Sequence, residues 1–162
     1  MNQPDLFEMK VLGLAKNDDK PIWVVVLGNE EENDLLPIWI GPFEAQAIEI
    51  ALQGLILPRP MTHDLLKLII DSVEAKLERI IINKLDDSTF FAQLDLTING
   101  EAKIVDSRPS DAIALALRLQ APILVDKRIL KDAGISSLLS KDDKLQEWLE
   151  DLKPEDFGDY KM

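Results

Sequence analysis

The chain reads as an α/β protein of the α+β kind: a mixed, mostly antiparallel sheet with helices packed on it. Three observations lead there. β-rich apolar runs follow one another in series, over residues 7–40 and again over 77–106. Helical repeats break the series at proline-marked junctions, Gly41-Pro42 and Arg108-Pro109. Tight turn signals, Asp86-Asp87-Ser88 and Asn99-Gly100, join neighbouring runs without room for a crossover.

Each element has its own signal. Phe7 to Ala15 is the first strand, and Lys16 to Lys20 a polar turn. Ile22 to Leu27 is a continuous apolar run closed by Gly28 and the acidic loop Asn29 to Asp34. Leu35 to Ile40 is the third strand. Gly41-Pro42 opens a helix in which Ala45, Ile48 and Leu52 recur at helical spacing, and Gly54 ends it. Pro58-Arg59-Pro60 is a stiff connector to a second helix, Leu65 to Val73, with Thr62 as its N-cap.

Leu77 to Leu85, centred on three isoleucines, turns into Thr89 to Ile98. There Phe90, Ala92, Leu94, Leu96 and Ile98 alternate with Phe91, Gln93, Asp95 and Thr97, as in a half-buried strand. Asn99-Gly100 leads into Ala102 to Asp106, so 77–106 is predicted to be an antiparallel meander. A helix over 109–119, a short strand Ile123 to Val125 and a short helix Arg128 to Ala133, ended by Gly134, complete the domain 1–135.

Residues 136–162 differ in kind and are predicted to be a C-terminal amphipathic helix and an acidic tail. Leu145, Trp148, Leu149 and Leu152 form an i, i+3, i+4, i+7 face, suited to docking on the domain or on a partner. Lys153 to Met162 carries Glu155, Asp156 and Asp159.

Composition limits the function classes. A chain of 162 residues buries enough surface for a core without staples. It has no cysteine, which excludes disulfides and thiolate metal sites, and one histidine, which makes a structural zinc site a poor fit. No apolar run approaches a membrane span, and Met1 to Asp5 has no basic region leading into an apolar one, so a cytoplasmic protein is expected. Thirty acids against 18 bases leave −12. Residues 139–162 hold eight acids and four lysines, so −8 remains on the rest. A globally acidic surface opposes non-specific nucleic-acid binding unless a local basic patch, such as Arg59, Arg108 and Arg118, survives it. Ordinary ion pairing accounts for such arginines equally well.

The candidate site lies at strand-to-helix junctions, where α/β proteins usually place chemistry. In Ile104 to Leu119 an apolar run ends at Asp106 and a helix opens within three residues. Pro109 suits its first turn, Ser107 is placed to cap it, and Asp111 brings negative charge to its positive end. Pro42, Glu44 and Ala45 repeat this pattern 67 positions earlier than Pro109, Asp111 and Ala112. Glu49 lies about 140° around the helix from Glu44 and does not share its face. His63 and Asp64 fall in the first turn of the helix between the two junctions. A lone histidine is as readily a structural hydrogen-bonding residue as a catalyst. There is no P-loop, G-x-G-x-x-G, H-E-x-x-H or G-x-S-x-G.

Three blocks, Ile40-Gly41-Pro42-Phe43-Glu44-Ala45, Arg59-Pro60-Met61-Thr62-His63-Asp64 and Val105 to Ala112, resemble the bifunctional nuclease domain family in order and spacing. The resemblance covers about residues 5 to 135. It implies a compact α/β domain with nuclease activity on both DNA and RNA.

Two functions therefore stand side by side. In one, the protein is a metal-dependent phosphodiesterase acting on a nucleic-acid substrate. Glu44, Asp106 and Asp111 would hold Mg²⁺ or Mn²⁺, Arg108 would stabilise phosphate charge, and His63 would assist proton transfer. In the other, Asp106 and Asp111 pair with Arg108 and cap helices, and the protein is an oligomeric binding or regulatory module. A homo-oligomer is expected on a further ground. The runs 22–27 and 35–40 are apolar on both strand faces, and each carries a Trp.

Overall fold

A computed structural model describes residues 3–16, 19–29 and 34–136. The strands are β1 (Leu6–Lys16), β2 (Trp23–Asn29), β3 (Asp34–Ile40), β4 (Lys76–Asp86), β5 (Thr89–Ile98), β6 (Glu101–Ser107), β7 (Ile123–Asp126) and β8 (Ile135–Ser136). The helices are α1 (Pro42–Leu52), α2 (Thr62–Ser72), α3 (Pro109–Leu119) and α4 (Lys127–Ala133). Among the described residues the strands form one sheet in the order β6-β5-β4-β7-β1-β2-β3-β8. β4 and β7 pair in parallel, and the other pairings are antiparallel. The predicted mixed, mostly antiparallel sheet is therefore present, as is the 77–106 meander.

Both meander turns carry the backbone that the right-handed strand twist requires. Asn99 and Gly100 have φ of 52° and 79°, and Asp87 and Ser88 have 48° and 61°, positive at both central positions as in a type I′ turn. The parallel pair sits at mid-sheet, where Ile80 to Ile82 runs beside Ile123 to Val125. Ile80 and Ile82 are fully buried and Ile81 nearly so, which explains a run apolar at three consecutive positions.

Period two sorts the strand residues into two clusters. Val25, Leu27, Leu36, Ile38, Ile80, Ile82, Phe90 and Ala92 join the helices in the main core. Ala15, Val24, Val26 and Leu35 pack on the opposite sheet face with Leu12 and Trp39. β2 and β3 are thus covered on both faces within one chain, and their apolar character does not by itself call for a second subunit. α3 is the central helix: Ala112 to Ala116 are all buried, and it contacts α1, α2, β4 and β5. α1 and α2 flank it.

Two local expectations change. The N-cap of α2 is Met61 rather than Thr62, which is already helical, and the Asp64 carboxylate accepts the Met61 N–H at 3.0 Å. The N-cap of α3 is Arg108, and the Ser107 hydroxyl donates to the Arg108 carbonyl at 2.9 Å instead of accepting from helix amides. The predicted helix 144–152 and the acidic tail lie outside the described residues. No helix among the described residues is long and apolar enough to cross a membrane.

Candidate functional site

The three helices leave a cleft of about 340 Å³ between α1 and the start of α2, with the first turn of α3 and Arg118 lining it as well. Phe43, Glu44, Ala47 and Ile50 line it from α1, Met61, Thr62 and His63 from the start of α2, and Arg108, Asp111 and Arg118 from the α3 segment. The repeated junction pattern explains the geometry. Pro42 and Pro109 each open an eleven-residue helix, and the acid two residues later faces the same gap. A Cβ on Gly41 would collide with Glu44 Oε2, so glycine before α1 lets that carboxylate fold back over its own helix end.

Arg108 joins the two acids. Its Nε and Nη2 bond Asp111 Oδ2 and Oδ1 at 2.9 and 3.2 Å, and its Nη1 bonds Glu44 Oε1 at 3.1 Å. His63 Nε2 lies 2.9 Å from Asp111 Oδ1. Burial works to raise the Asp111 pKa, but the Arg108 and His63 hydrogen bonds outweigh it and hold the carboxyl below the usual range. An ionised carboxylate only accepts, so His63 Nε2 is the protonated nitrogen. Behind this group, Arg118 Nε donates to Asp64 Oδ1 at 2.7 Å, and its Nη1 donates to the carbonyls of Ala47 and Ala114. The Arg118 hydrogen bond, helped by the Met61 N–H, lowers the Asp64 pKa. One arginine thereby pins α1 and α2 to α3.

Of the residues singled out from sequence, Glu44, His63, Arg108 and Asp111 come together. Asp106 does not join them. It stands opposite Gln93 in the β5–β6 register, one position from the Ala92–Ser107 pair. Ala92 faces the helices in the main core, so Asp106 belongs to the other sheet face and is exposed. Ser110 is buried, and its hydroxyl has no hydrogen-bond partner among the described residues. Arg59 is exposed and outside the network. The Asp64–Arg118 bond joins residues 54 positions apart, and no local sequence signal marks them as a pair.

The donor set bears on a divalent cation. Among the described residues no three acids or histidines gather as a metal group. Glu44 and Asp111 both face the gap, but the Arg108 guanidinium stands between them, so a cation would have to displace it. As placed, these residues do not fit a Mg²⁺ or Mn²⁺ site.

A larger cavity of about 780 Å³ lies against residues 3–7 and the start of α4. Four of its charges pair with each other, Lys127 with Asp5 and Arg128 with Asp126, and Asp126 also accepts the Arg128 N–H as the α4 cap, which is structural chemistry. Asp34 and Lys131 line it as well.

Residues 25–137 match the bifunctional nuclease domain. An uncharacterised protein of Mycobacterium tuberculosis is 35% identical over 93% of this chain and 97% of its own length. Bifunctional nuclease 2 of Oryza sativa subsp. japonica is 30% identical over 75% of this chain, and bifunctional nuclease 1 of Arabidopsis thaliana 30% over 73%. In both plant proteins the match spans 38% of their length.

Proposed function

The chain belongs to the bifunctional nuclease domain family, and from that premise we propose that it hydrolyses phosphodiester bonds of DNA and RNA in the cleft between α1 and α2. The observation that carries the reading is the His63–Asp111 pair beside Arg108. With Nε2–H held by Asp111, the neutral ring presents Nδ1 as a proton acceptor, the arrangement of an oriented general base. His63 Nδ1 takes a proton from water, the water oxygen forms the new P–O bond, and the bond to the leaving oxygen breaks. The imidazolium then returns its proton to that oxygen. Arg108 uses three of the five N–H donors of a guanidinium on Asp111 and Glu44, which leaves two for the non-bridging phosphate oxygens.

The test is cleavage of single-stranded DNA and RNA by purified protein with and without EDTA. On this reading His63→Gln lowers the rate about 10²–10⁴-fold, and EDTA leaves it unchanged. EDTA-sensitive cleavage would instead assign water activation to a cation on Glu44 and Asp111 with Arg108 displaced. A second reading, a non-catalytic binding or regulatory module, is favoured by the fact that Glu44, Asp64 and Asp111 are each already paired with an arginine. Wild-type protein inert over a range of metals and pH, together with Asp111→Asn that fails to fold, would select it.

A further inference from the structure

α2 carries its apolar stripe on the wrong side for a helix that is satisfied within one chain. A surface helix normally turns such a stripe to the core. Here none of its residues is fully buried, and its inward contacts come from His63, Asp64 and Ile70. Leu65, Leu66, Leu68 and Ile69, with Val73 just beyond its C-terminal end, fall within an arc of about 160° on the opposite side. Each is between 40% and 53% exposed. The connector leading into the helix adds Leu55 and Ile56, the latter 96% exposed.

We propose that this face is the contact with a second copy of the chain. One support is area. With Met61, the residues of the stripe expose on the order of 500–550 Å², at the upper end of the largest patch of a typical monomer, and Leu55 and Ile56 of the connector bring the total toward the ~800 Å² per partner of a standard interface. The second is charge. The chain carries −12, which opposes self-association in general. The stripe itself bears no charge, and Lys67 and Asp71, which lie off it on the other side of the helix, neutralise each other at 2.6 Å.

Reach counts against the chain's own C-terminal segment as the cover. That segment starts after β8, five strands from β4, on which α2 packs, or about 24 Å across the sheet. The outward face of α2 lies a further helix diameter of about 10 Å from the sheet. Eight residues from Ser136 to Lys144 reach about 26–29 Å when fully extended, which leaves no slack. The predicted face of Leu145, Trp148, Leu149 and Leu152 would also cover only part of the patch. Because the stripe borders the cleft through Met61, pairing through α2 would bring the clefts of two copies close to one interface.

Light scattering of the full chain at micromolar concentration should give a dimer or a higher multiple, and Leu65→Glu with Ile69→Glu should give a monomer whose circular dichroism is unchanged. The absence of native cysteine permits an independent readout. Ile69→Cys should form a disulfide-linked dimer under mild oxidation, whereas Lys84→Cys on β4 should not. A monomeric wild-type chain overturns the proposal. So does an oligomer that survives the double glutamate variant, which would move the contact elsewhere, for example to the exposed edge strand β6. Should the glutamate variant fail to fold, the cysteine result decides: no cross-link through Ile69→Cys counts against α2. These readouts are masses and covalent bonds, so they stand apart from the outcome of the nuclease assay.

Discussion

Arg108 and Arg118 stand at opposite ends of α3 and hold opposite kinds of position. The Arg118 side chain is 6% exposed, and its bonds run to Asp64 on α2, to the Ala47 carbonyl on α1 and to its own helix. Arg108 is 55% exposed, faces the cleft and spends three donors on two acids. The same charge on the same helix is a clamp in one place and an available group in the other. What separates them is solvent. A buried guanidinium must have its donors satisfied by the protein, whereas an exposed one can trade its partners for water or a ligand.

The clamp should break the fold first. Arg118→Met takes the charged donor from Asp64 Oδ1 and the second donor from two helix carbonyls, and should cost about 2–4 kcal/mol, or roughly 5–15 °C in melting temperature. Calorimetry measures this, and a loss under 1 kcal/mol would deny Arg118 the clamp role. Arg108→Ala reverses the balance. Exposed ion pairs contribute little, so the melting temperature should stay within about 3 °C while cleavage falls about 100-fold. A comparable loss of stability would place Arg108 beside Arg118 as a structural residue.

A smaller effect sharpens the contrast through pH. The folded-state pKa of Asp64 is depressed, chiefly by the Arg118 hydrogen bond. Its contribution is therefore complete above the unfolded value near 4 and is lost as pH falls through the lower folded value. The melting-temperature gap between wild type and Arg118→Met should narrow as pH drops from 5 to 3. A gap that stays constant would mean that Arg118 acts through the two carbonyls alone.

Much of this molecule is local, and local features are legible in sequence. Asn99-Gly100 specifies its hairpin because few other pairs tolerate positive φ at both positions, and the alternation in β5 identifies its core face before any partner is known. Glu44, His63, Arg108 and Asp111 could be nominated because a proline-led helix start with an early acid is a junction signature. Asp106 lies away from the site for a physical reason. It sits two residues from Arg108 in sequence, but strand parity sends it to the opposite face, and that parity is set by register with β5. The Asp64–Arg118 pair spans 54 positions and carries no local mark.

By itself, then, the sequence determined the described elements apart from the two-residue β8, the two tight turns, the paired helix starts and the residue types available at them, since each depends on backbone preference and side-chain period within a few neighbours. Tertiary structure decided the rest. It set the parallel β4–β7 contact at mid-sheet, the capture of Glu44 and Asp111 by one arginine in place of a three-acid cluster, and the outward turn of the apolar side of α2. Each of these is a choice of which face meets which across long stretches of chain. A local pattern specifies that a face exists, and only packing against the other elements selects what lies opposite it.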